Sequence, residues 1–75
     1  MKVIVYSRKT CIKCTQAKKF LNEKDIKYTV KDIDNDEEAR NELVLGGFMS
    51  LPVILVDDKA FEVFNKEELS KALGI

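Results

Sequence analysis

The fold is decided by residues 3–14, which read V-I-V-Y-S-R-K-T-C-I-K-C. Val3 to Tyr6 form a short β-rich run that predicts a buried strand, and the polar residues Ser7 to Thr10 predict a loop. From Cys11 onward the pattern becomes helical, because apolar side chains recur on one stripe at Cys14, Ala17 and Leu21, with Phe20 beside them. The stretch therefore predicts a strand, a loop and a helix, with two cysteines where the helix begins.

Two further elements follow this helix, which is expected to end near Lys24 or Asp25. Tyr28 and Val30 lie on one face of a loosely alternating run, which predicts a half-exposed edge strand over Lys27–Ile33. Asp34 to Glu37 have the composition of a helix start. The second helix takes its apolar side from Ala39, Leu43 and Val44, and Gly46-Gly47 are expected to end it.

The last third of the chain predicts a hairpin and a helix. Residues 53–56 are apolar throughout, as in a central strand that is covered on both faces. A turn over Asp57–Lys59 leads to a short strand with Phe61 and Val63 on one face. Asn65 caps the final helix, with Glu68 at the capping-box position. The inward side chains of this helix are Leu69, Ala72 and Leu73, and Gly74 ends it.

These elements follow the order β-α-β-α-β-β-α, which predicts an α/β fold in a single domain over residues 1–75. A helix joins the first two strands, so we expect them to be parallel with a right-handed crossover. The last two strands are close enough in sequence to form a hairpin. The expected architecture is a four-stranded mixed sheet with three helices packed on it.

The charges are balanced, with 13 Lys and Arg against 13 Asp and Glu. A net charge of zero argues against bulk electrostatic attraction to nucleic acid or to a membrane surface. No apolar run approaches the roughly 20 residues that a membrane helix needs, and the segment up to Tyr6 is too short for a signal peptide. We therefore expect a cytoplasmic monomer with neither nucleic acid nor membrane as a partner.

Cys11 and Cys14 have the spacing and position of a reactive pair. Residues three apart share a helix face, so the two sulfur atoms can meet with little backbone movement. Free N–H groups and the helix dipole stabilise a thiolate at Cys11 and lower its pKa, and Arg8, Lys9 and Lys13 would add to this effect. The chain has no histidine, which excludes a Cys–His nucleophile pair.

Two other interpretations of the cysteines stay open from the residues alone. A cysteine is often only a small buried apolar side chain, which suits Cys14 by itself better than it suits the pair. A zinc site needs four ligands, so this chain would have to add carboxylates or a second copy. A CxxC pair between a strand and a helix favours redox chemistry, with no metal and no cofactor expected.

Pro52 is the only proline, and it opens the most apolar strand. A proline at a strand start is ordinary, because its missing N–H is tolerated there. The functional alternative is a cis bond that turns the backbone of Met49 to Leu51 toward the cysteines. Spacing alone does not decide between the two, since cis bonds before proline are uncommon.

Two segments carry a resemblance to a known family. Residues 6–14, Y-S-R-K-T-C-I-K-C, followed by a basic helix, resemble the glutaredoxins. Residues 47–53, G-F-M-S-L-P-V, look more specifically like the NrdH-type redoxins, which are glutaredoxin-like hydrogen donors for ribonucleotide reductase. The resemblance covers essentially the whole chain. It implies a thioredoxin-like fold and the activity of a thiol–disulfide oxidoreductase that reduces protein disulfides.

The resemblance also implies roles for particular residues. Cys11 would be the nucleophile and Cys14 the resolving cysteine, with a cis Pro52 beside them. The implied substrate groove is lined by Met49, Ser50 and Leu51, next to Pro52. We further expect Arg8 and Lys13, as cations, and Phe64, as an apolar contact, to take part in substrate binding. The implied reductant is thioredoxin reductase or glutathione. The implied substrate is ribonucleotide reductase or another disulfide-bearing protein.

Departures from the family pattern separate the competing functions. Ile12-Lys13 stand where dithiol glutaredoxins usually carry Pro-Tyr, and residues 62–65, E-V-F-N, stand where those proteins carry a Gly-Gly pair and a glutathione-holding Asp. We therefore expect thioredoxin reductase to reduce this protein faster than glutathione does. A glutathione-dependent glutaredoxin with general substrates is the alternative, and a metal or iron–sulfur carrier using Cys11 across a dimer is a third possibility.

Overall fold

A computed structural model describes residues 2–62 and 64–75. The strands in these residues are β1 (Val3–Ser7), β2 (Thr29–Asp32), β3 (Val53–Val56) and β4 (Lys59–Phe61). The helices are α1 (Ile12–Glu23), α2 (Glu37–Leu45) and α3 (Lys66–Leu73). The predicted order β-α-β-α-β-β-α is confirmed. Val63, expected in the last strand, lies outside the described residues.

The four strands form one mixed sheet in the order β2-β1-β3-β4. β1 pairs in parallel with β2, from Ile4 opposite Thr29 onward, and antiparallel with β3, where Tyr6 lies opposite Val53. β3 and β4 form the predicted antiparallel hairpin. The predictions of an edge strand before α2 and a central strand at residues 53–56 are therefore confirmed. Because Tyr6 faces Val53, Pro52 lies beside the end of β1 that leads to the cysteines.

Apolar side chains fill both sides of this sheet. Alternate residues of a strand point to opposite faces, so β1 contributes Val3 and Val5 to one cluster and Ile4 and Tyr6 to the other. Side chains of α1 and α3 complete the first cluster through Ala17, Phe20, Leu21, Leu69 and Leu73. Side chains of α2 complete the second through Ala39 and Leu43. This two-sided covering explains why β1 and β3 read as continuous apolar runs.

Several boundaries and one side-chain orientation differ from the predictions. Ser7 belongs to β1 rather than to the loop, and β2 is confined to Thr29–Asp32. Asp36, rather than an earlier residue, caps α2 by accepting a hydrogen bond from the Ala39 N–H at 3.1 Å. Val44 is 70% exposed, which contradicts its predicted inward position. It follows Leu43 directly and is therefore rotated by about 100° from the stripe that Ala39 and Leu43 define.

The other helix ends form as predicted. Asn65 caps α3, and its side-chain oxygen accepts hydrogen bonds from the N–H groups of Glu67 and Glu68. Gly74 ends the same helix in the left-handed conformation. Among the helices of the described residues, none combines the length and the apolar character needed to cross a membrane.

Candidate active site

Cys11 and Cys14 are joined as a disulfide at the amino end of α1. Their Cα atoms are 5.2 Å apart, a separation that a disulfide spans without backbone distortion. Cys11 is the capping residue of α1, with extended backbone angles, and its Sγ accepts a hydrogen bond from the Cys14 N–H at 3.1 Å. The helix terminus therefore presents a donor to the Cys11 sulfur, which is the electrostatic setting that favours a thiolate.

The two sulfur atoms differ in their access to solvent. Cys14 is fully buried in the apolar stripe of α1, and its Sγ lies 3.9 Å from the carbonyl oxygen of Tyr6. Cys11 is partly exposed and lines an open groove. The structure therefore confirms the predicted difference in exposure, with an accessible Cys11 and a recessed Cys14. Their roles as nucleophile and resolving cysteine remain predictions.

The groove beside Cys11 has a volume of about 370 Å³. Met49, Ser50 and Leu51 form one side of it, as expected for the implied substrate-binding segment. The Leu51–Pro52 peptide bond is cis, as predicted, and Pro52 itself is buried. The remaining lining residues come from the loop before Cys11, from the segment after β2, from α2 and from the turn after α2: Arg8, Thr10, Ile33, Arg40, Leu43, Val44 and Phe48.

Two glycines bring Phe48 into the groove wall after α2. A Cβ atom on Gly46 would lie 2.6 Å from Cε2 of Phe48, so only glycine allows the ring to pack at this distance. Gly47 has a φ angle of +76°, a conformation that side-chain-bearing residues rarely adopt. The Phe48 ring is partly buried against the α2 side of the core. The Gly46-Gly47-Phe48 run therefore turns the chain sharply from α2 toward Met49.

Two arginines give the groove positive charge. Arg8 donates to Oδ1 of Asp34 through Nη2 at 2.9 Å, and the Lys9 N–H donates to the other carboxylate oxygen at 3.4 Å. The Arg8 hydrogen bond is the main reason that the pKa of Asp34 lies below its ordinary value, and the charge of Arg40 lowers the pKa further. Arg40 donates to the Ile33 carbonyl oxygen through Nε and Nη2, at 3.2 and 3.0 Å.

Two of the predicted substrate-binding residues lie away from this groove. Lys13 is exposed on α1 and is not part of the groove wall. Phe64 is partly buried against Phe20, with ring centroids 5.8 Å apart in an edge-to-face arrangement. It lines a separate depression together with Gln16 and Lys66. The structure thus brings Arg8 and Met49 to Leu51 together at Cys11, with the buried Pro52 directly after Leu51, but not Lys13 or Phe64.

Sequence reasoning missed the contribution of α2 to the groove. Arg40 lies on the polar side of that helix, Val44 was predicted to face inward, and neither residue belongs to a motif. The available signal was spacing: Val44 lies about 140° around the helix from Ala39, so it does not continue the stripe of Ala39 and Leu43. That signal identifies an exposed residue but does not place it beside Cys11.

A polar network ties α2 to the sheet on the side of the groove. The Tyr6 hydroxyl donates to Oε2 of Glu42 at 2.7 Å, and the Lys31 Nζ donates to Oε1 of Glu42 at 2.9 Å. Burial, and then the hydrogen bond to Glu42, raise the pKa of Tyr6. The hydrogen bonds from Tyr6 and Lys31 hold the pKa of Glu42 below its ordinary value, and the same contact raises the pKa of Lys31.

Metal-ligating side chains do not cluster in the described part of the chain. Over residues 2–62 and 64–75 no group of three or more His, Cys, Asp or Glu side chains is placed to hold a metal ion. The chemistry that the site can perform with its own residues is thiol–disulfide exchange at Cys11 and Cys14.

Comparison with known proteins gives consistent matches. The glutaredoxin family model matches residues 3–61. The glutaredoxin-like protein NrdH of Lactococcus lactis is 39% identical over 69 residues, which cover 92% of this chain and 96% of that protein. An uncharacterized glutaredoxin-like 8.6 kDa protein of Clostridium pasteurianum is 31% identical over 70 residues, or 92% of this chain and 93% of that protein.

Solved structures agree in fold. The NrdH-redoxin of Escherichia coli superposes with a TM-score of 0.88 at 24% identity, covering 95% of this chain and 93% of that one. A glutaredoxin from Archaeoglobus fulgidus superposes with a TM-score of 0.80 at 27% identity, covering 96% and 85% of the two chains. This chain therefore belongs to the glutaredoxin family, with NrdH-type redoxins among its relatives, and is a thiol–disulfide oxidoreductase of thioredoxin-like fold.

Proposed function

We propose that this protein reduces disulfide bonds in other proteins through Cys11 and Cys14, that ribonucleotide reductase is its principal substrate, and that thioredoxin reductase restores its dithiol. The observation that carries the proposal is the asymmetry of the cysteines. Cys11 lines an open groove, whereas Cys14 is fully buried beneath it. This asymmetry supports a division of work between an attacking sulfur and a resolving sulfur.

The proposed reaction is a two-electron exchange in two steps. The Cys11 thiolate attacks one sulfur of the substrate disulfide, which forms a mixed disulfide and releases the other substrate sulfur as a thiolate. Cys14 then loses its proton and attacks the Cys11 sulfur, which forms the Cys11–Cys14 disulfide and releases the second substrate sulfur. The two protons of the dithiol end on the two substrate thiols. The reductase reverses the change by supplying two electrons and two protons.

The groove supports an extended protein segment as the substrate. Met49 to Leu51 line it together with Cys11, and their backbone would pair with a substrate strand by β-strand addition. Ile12 and Met49 are 76% and 98% exposed, and exposed apolar side chains of this kind are typical contact anchors between proteins. Ribonucleotide reductase as the substrate rests on the resemblance to the NrdH-type redoxins.

The surroundings of α3 favour thioredoxin reductase over glutathione as the reductant. A glutathione site needs polar groups near this helix to hold the γ-glutamyl end of the ligand. The Asn65 side-chain oxygen already accepts hydrogen bonds from Glu67 and Glu68, so it serves as a helix cap. Glu62 is exposed and negatively charged, and Phe64 packs on Phe20. These features leave glutathione without one of the contacts that would orient it.

The test is a coupled assay with each reductant supplied alone. Turnover of a disulfide substrate is followed by NADPH consumption, first with thioredoxin reductase and then with glutathione and glutathione reductase at matched concentrations. We expect much faster turnover with thioredoxin reductase and none in Cys11→Ser. Comparable or faster turnover with glutathione would instead establish a glutathione-dependent glutaredoxin with general substrates.

A further inference from the structure

We propose that Met49 is a site of reversible oxidation, at which a peroxide converts the thioether to a sulfoxide and thereby slows the reduction of protein disulfides while small disulfides still react. This inference deepens the proposed function and rests on it, because its consequence is a change in how partner proteins bind beside Cys11. Met49 lies in the groove wall as a contact residue and would take no part in the electron transfer itself.

The Met49 side chain is unusually accessible. It is 98% exposed, more than any other large apolar side chain that the structure describes. The chain around it is anchored, because Phe48 and Leu51 on either side pack against the apolar cluster between the sheet and α2. The thioether is therefore held in solvent by the fold itself, and a peroxide can reach its sulfur without any opening of the structure.

The state of the two cysteines decides when Met49 is the sulfur that reacts. In the disulfide form neither Cys11 nor Cys14 offers a thiolate, and Cys14 is also fully buried. Met49 is then the only thioether in residues 2–62 and 64–75. In the dithiol form the Cys11 thiolate is the stronger nucleophile and would consume the peroxide first. Oxidation of Met49 is therefore expected when the disulfide form accumulates.

The reaction is a two-electron oxidation of the Met49 sulfur. The sulfur attacks one oxygen of the peroxide, the O–O bond breaks, and that oxygen stays on the sulfur as the sulfoxide. The other oxygen leaves as water when the oxidant is hydrogen peroxide. Methionine sulfoxide reductases reverse the change, since two electrons and two protons from a dithiol restore the thioether and release the oxygen as water.

The position of Met49 turns this local change into a change of function. Met49 lines the groove together with Cys11, and Val44, which is 70% exposed, lines it from α2. A protein segment that reaches Cys11 through this groove covers these apolar side chains. A sulfoxide is polar, so covering it costs free energy that covering the thioether does not. A small disulfide that reaches Cys11 without covering Met49 avoids this cost.

The first experiment locates the oxidation. The disulfide form of the protein is treated with hydrogen peroxide, the peroxide is removed, and peptide mass spectrometry shows which residues have gained oxygen. We expect the peptide that contains Met49 to gain one oxygen atom and the peptide that contains the cysteines to gain none. The dithiol form, treated in the same way, should form the Cys11–Cys14 disulfide before Met49 is oxidised.

The second experiment measures the consequence with two substrates. Treated and untreated protein are reduced with dithiothreitol and freed of it, and single-turnover rate constants are measured with insulin as a protein disulfide and with hydroxyethyl disulfide as a small one. We expect oxidation of Met49 to slow insulin reduction about 3- to 10-fold and to change the rate with hydroxyethyl disulfide less than about twofold. Repair by methionine sulfoxide reductases should restore the insulin rate.

Two variants, each compared with its own untreated rates, separate Met49 from other targets of peroxide. Met49→Leu keeps an apolar side chain of similar size that peroxide does not oxidise, so treatment should not slow its reduction of insulin. The double variant Met49→Leu/Val30→Met carries an exposed thioether on β2. Val30 is 44% exposed and pairs with Val5, whose side chain lies on the face of the sheet away from α2. Oxidation there should leave both rates unchanged.

Three results would overturn the inference while the proposed function stands. The first is a Met49 that gains no oxygen under conditions that oxidise free methionine completely. The second is an insulin rate that does not change, or that falls only as much as the rate with hydroxyethyl disulfide. The third is an equal loss in treated Met49→Leu, which would place the damage elsewhere. Failure of the untreated wild type to reduce either disulfide would instead reject the proposed function, and with it the consequence assigned to Met49.

Discussion

At the scale of single residues, the difference between Cys11 and Cys14 comes from one helical turn. The Cys11 sulfur caps α1 and accepts a hydrogen bond from the Cys14 N–H, while the Cys14 sulfur lies under the turn against Tyr6. Of two sulfurs three residues apart, one is therefore open to a large substrate and the other only to its neighbour. Thiol exchange depends on access as well as on thiolate character, so this placement predicts that Cys11 attacks first and Cys14 second.

The first prediction removes the buried sulfur. Cys14→Ser should leave a mixed disulfide between Cys11 and a substrate peptide that no longer resolves, because the second attack has lost its nucleophile. Intact-protein mass spectrometry after mixing the reduced variant with a peptide disulfide measures the adduct, which we expect at close to one per chain. Cys11→Ser is the control and should form no adduct. A stable adduct on Cys11→Ser, through Cys14, would reverse the assignment.

The residues of the groove were predictable only where a local pattern carried them. Cys11 and Cys14 have a fixed spacing at a strand–helix junction, and Met49 to Pro52 lie in a segment that resembles a known family. Arg40 reaches the same groove from another helix, and only the packing of α2 on the sheet brings it there. Phe64 was predicted at the site because the sequence does not show where a side chain packs in the fold. In the structure its ring packs on Phe20.

At the scale of elements, α2 is held to the sheet by a contact that joins three elements. Glu42 on α2 accepts hydrogen bonds from Tyr6 on β1 and from Lys31 on β2. Ala39 and Leu43 are the only fully inward side chains of this helix among those described, so its apolar contact is narrow. The polar contact therefore adds to the forces that keep α2, and with it one wall of the groove, in place.

The second prediction tests this contact. Tyr6→Phe should lower the free energy of unfolding by about 1 kcal/mol at pH 7, the usual value of one hydrogen bond, because it removes the donor to Glu42 and keeps the ring. Urea denaturation followed by circular dichroism measures the change. Tyr28→Phe is the matched control, since its hydroxyl donates only to the Lys18 carbonyl oxygen at the longer distance of 3.5 Å.

The effect of Tyr6→Phe should also depend on pH. The folded-state pKa of Glu42 lies below the value of 4.5 for an unperturbed carboxyl, because its hydrogen bonds favour the ionised form. Its contribution is present above the unfolded-state pKa and is lost as the pH falls through the lowered folded value. The difference in the free energy of unfolding between wild type and Tyr6→Phe should therefore become smaller as the pH falls through the folded-state pKa of Glu42. An unchanged difference in acid would mean that the charge of Glu42 does not matter to the bond.

The type of each element was predictable because the spacing of its apolar residues matched either a helix or a strand. The direction in which a single side chain points was less predictable. The stripe Cys14, Ala17 and Leu21 has helical spacing, and all three side chains are buried. On α2 the two adjacent apolar residues Leu43 and Val44 compete for the inward direction, and composition does not rank them. Ala39 is four residues before Leu43, so only Leu43 continues its stripe, and Val44 faces the groove.

At the scale of the whole molecule, both sides of the sheet must be covered by few residues. Stability of about 0.05–0.15 kcal/mol per residue is ordinary, which makes the expected total for a chain of this size roughly 4–11 kcal/mol. α3 has eight residues, too short to be helical alone, and packs on the sheet through Leu69 and Leu73. The single-domain expectation thus predicts that α3 and the active-site region unfold in one cooperative transition.

The last prediction tests that cooperativity through one core side chain and one surface side chain of the same type. Leu69 is fully buried between α3 and the sheet, whereas Leu45 at the end of α2 is 87% exposed. Leu69→Ala should lower the free energy of unfolding by about 2–5 kcal/mol, because it loses buried apolar surface and leaves a cavity. Leu45→Ala should stay within about 0.5 kcal/mol of wild type.

Urea unfolding is followed in parallel by circular dichroism and by the alkylation rate of reduced Cys14, which reports exposure of the active-site region. Coincident midpoints in both variants would fit a single domain, since loss of α3 packing would then open the site at the same urea concentration. If Leu69→Ala releases helix signal before Cys14 becomes reactive, α3 unfolds separately and the single-domain expectation is wrong.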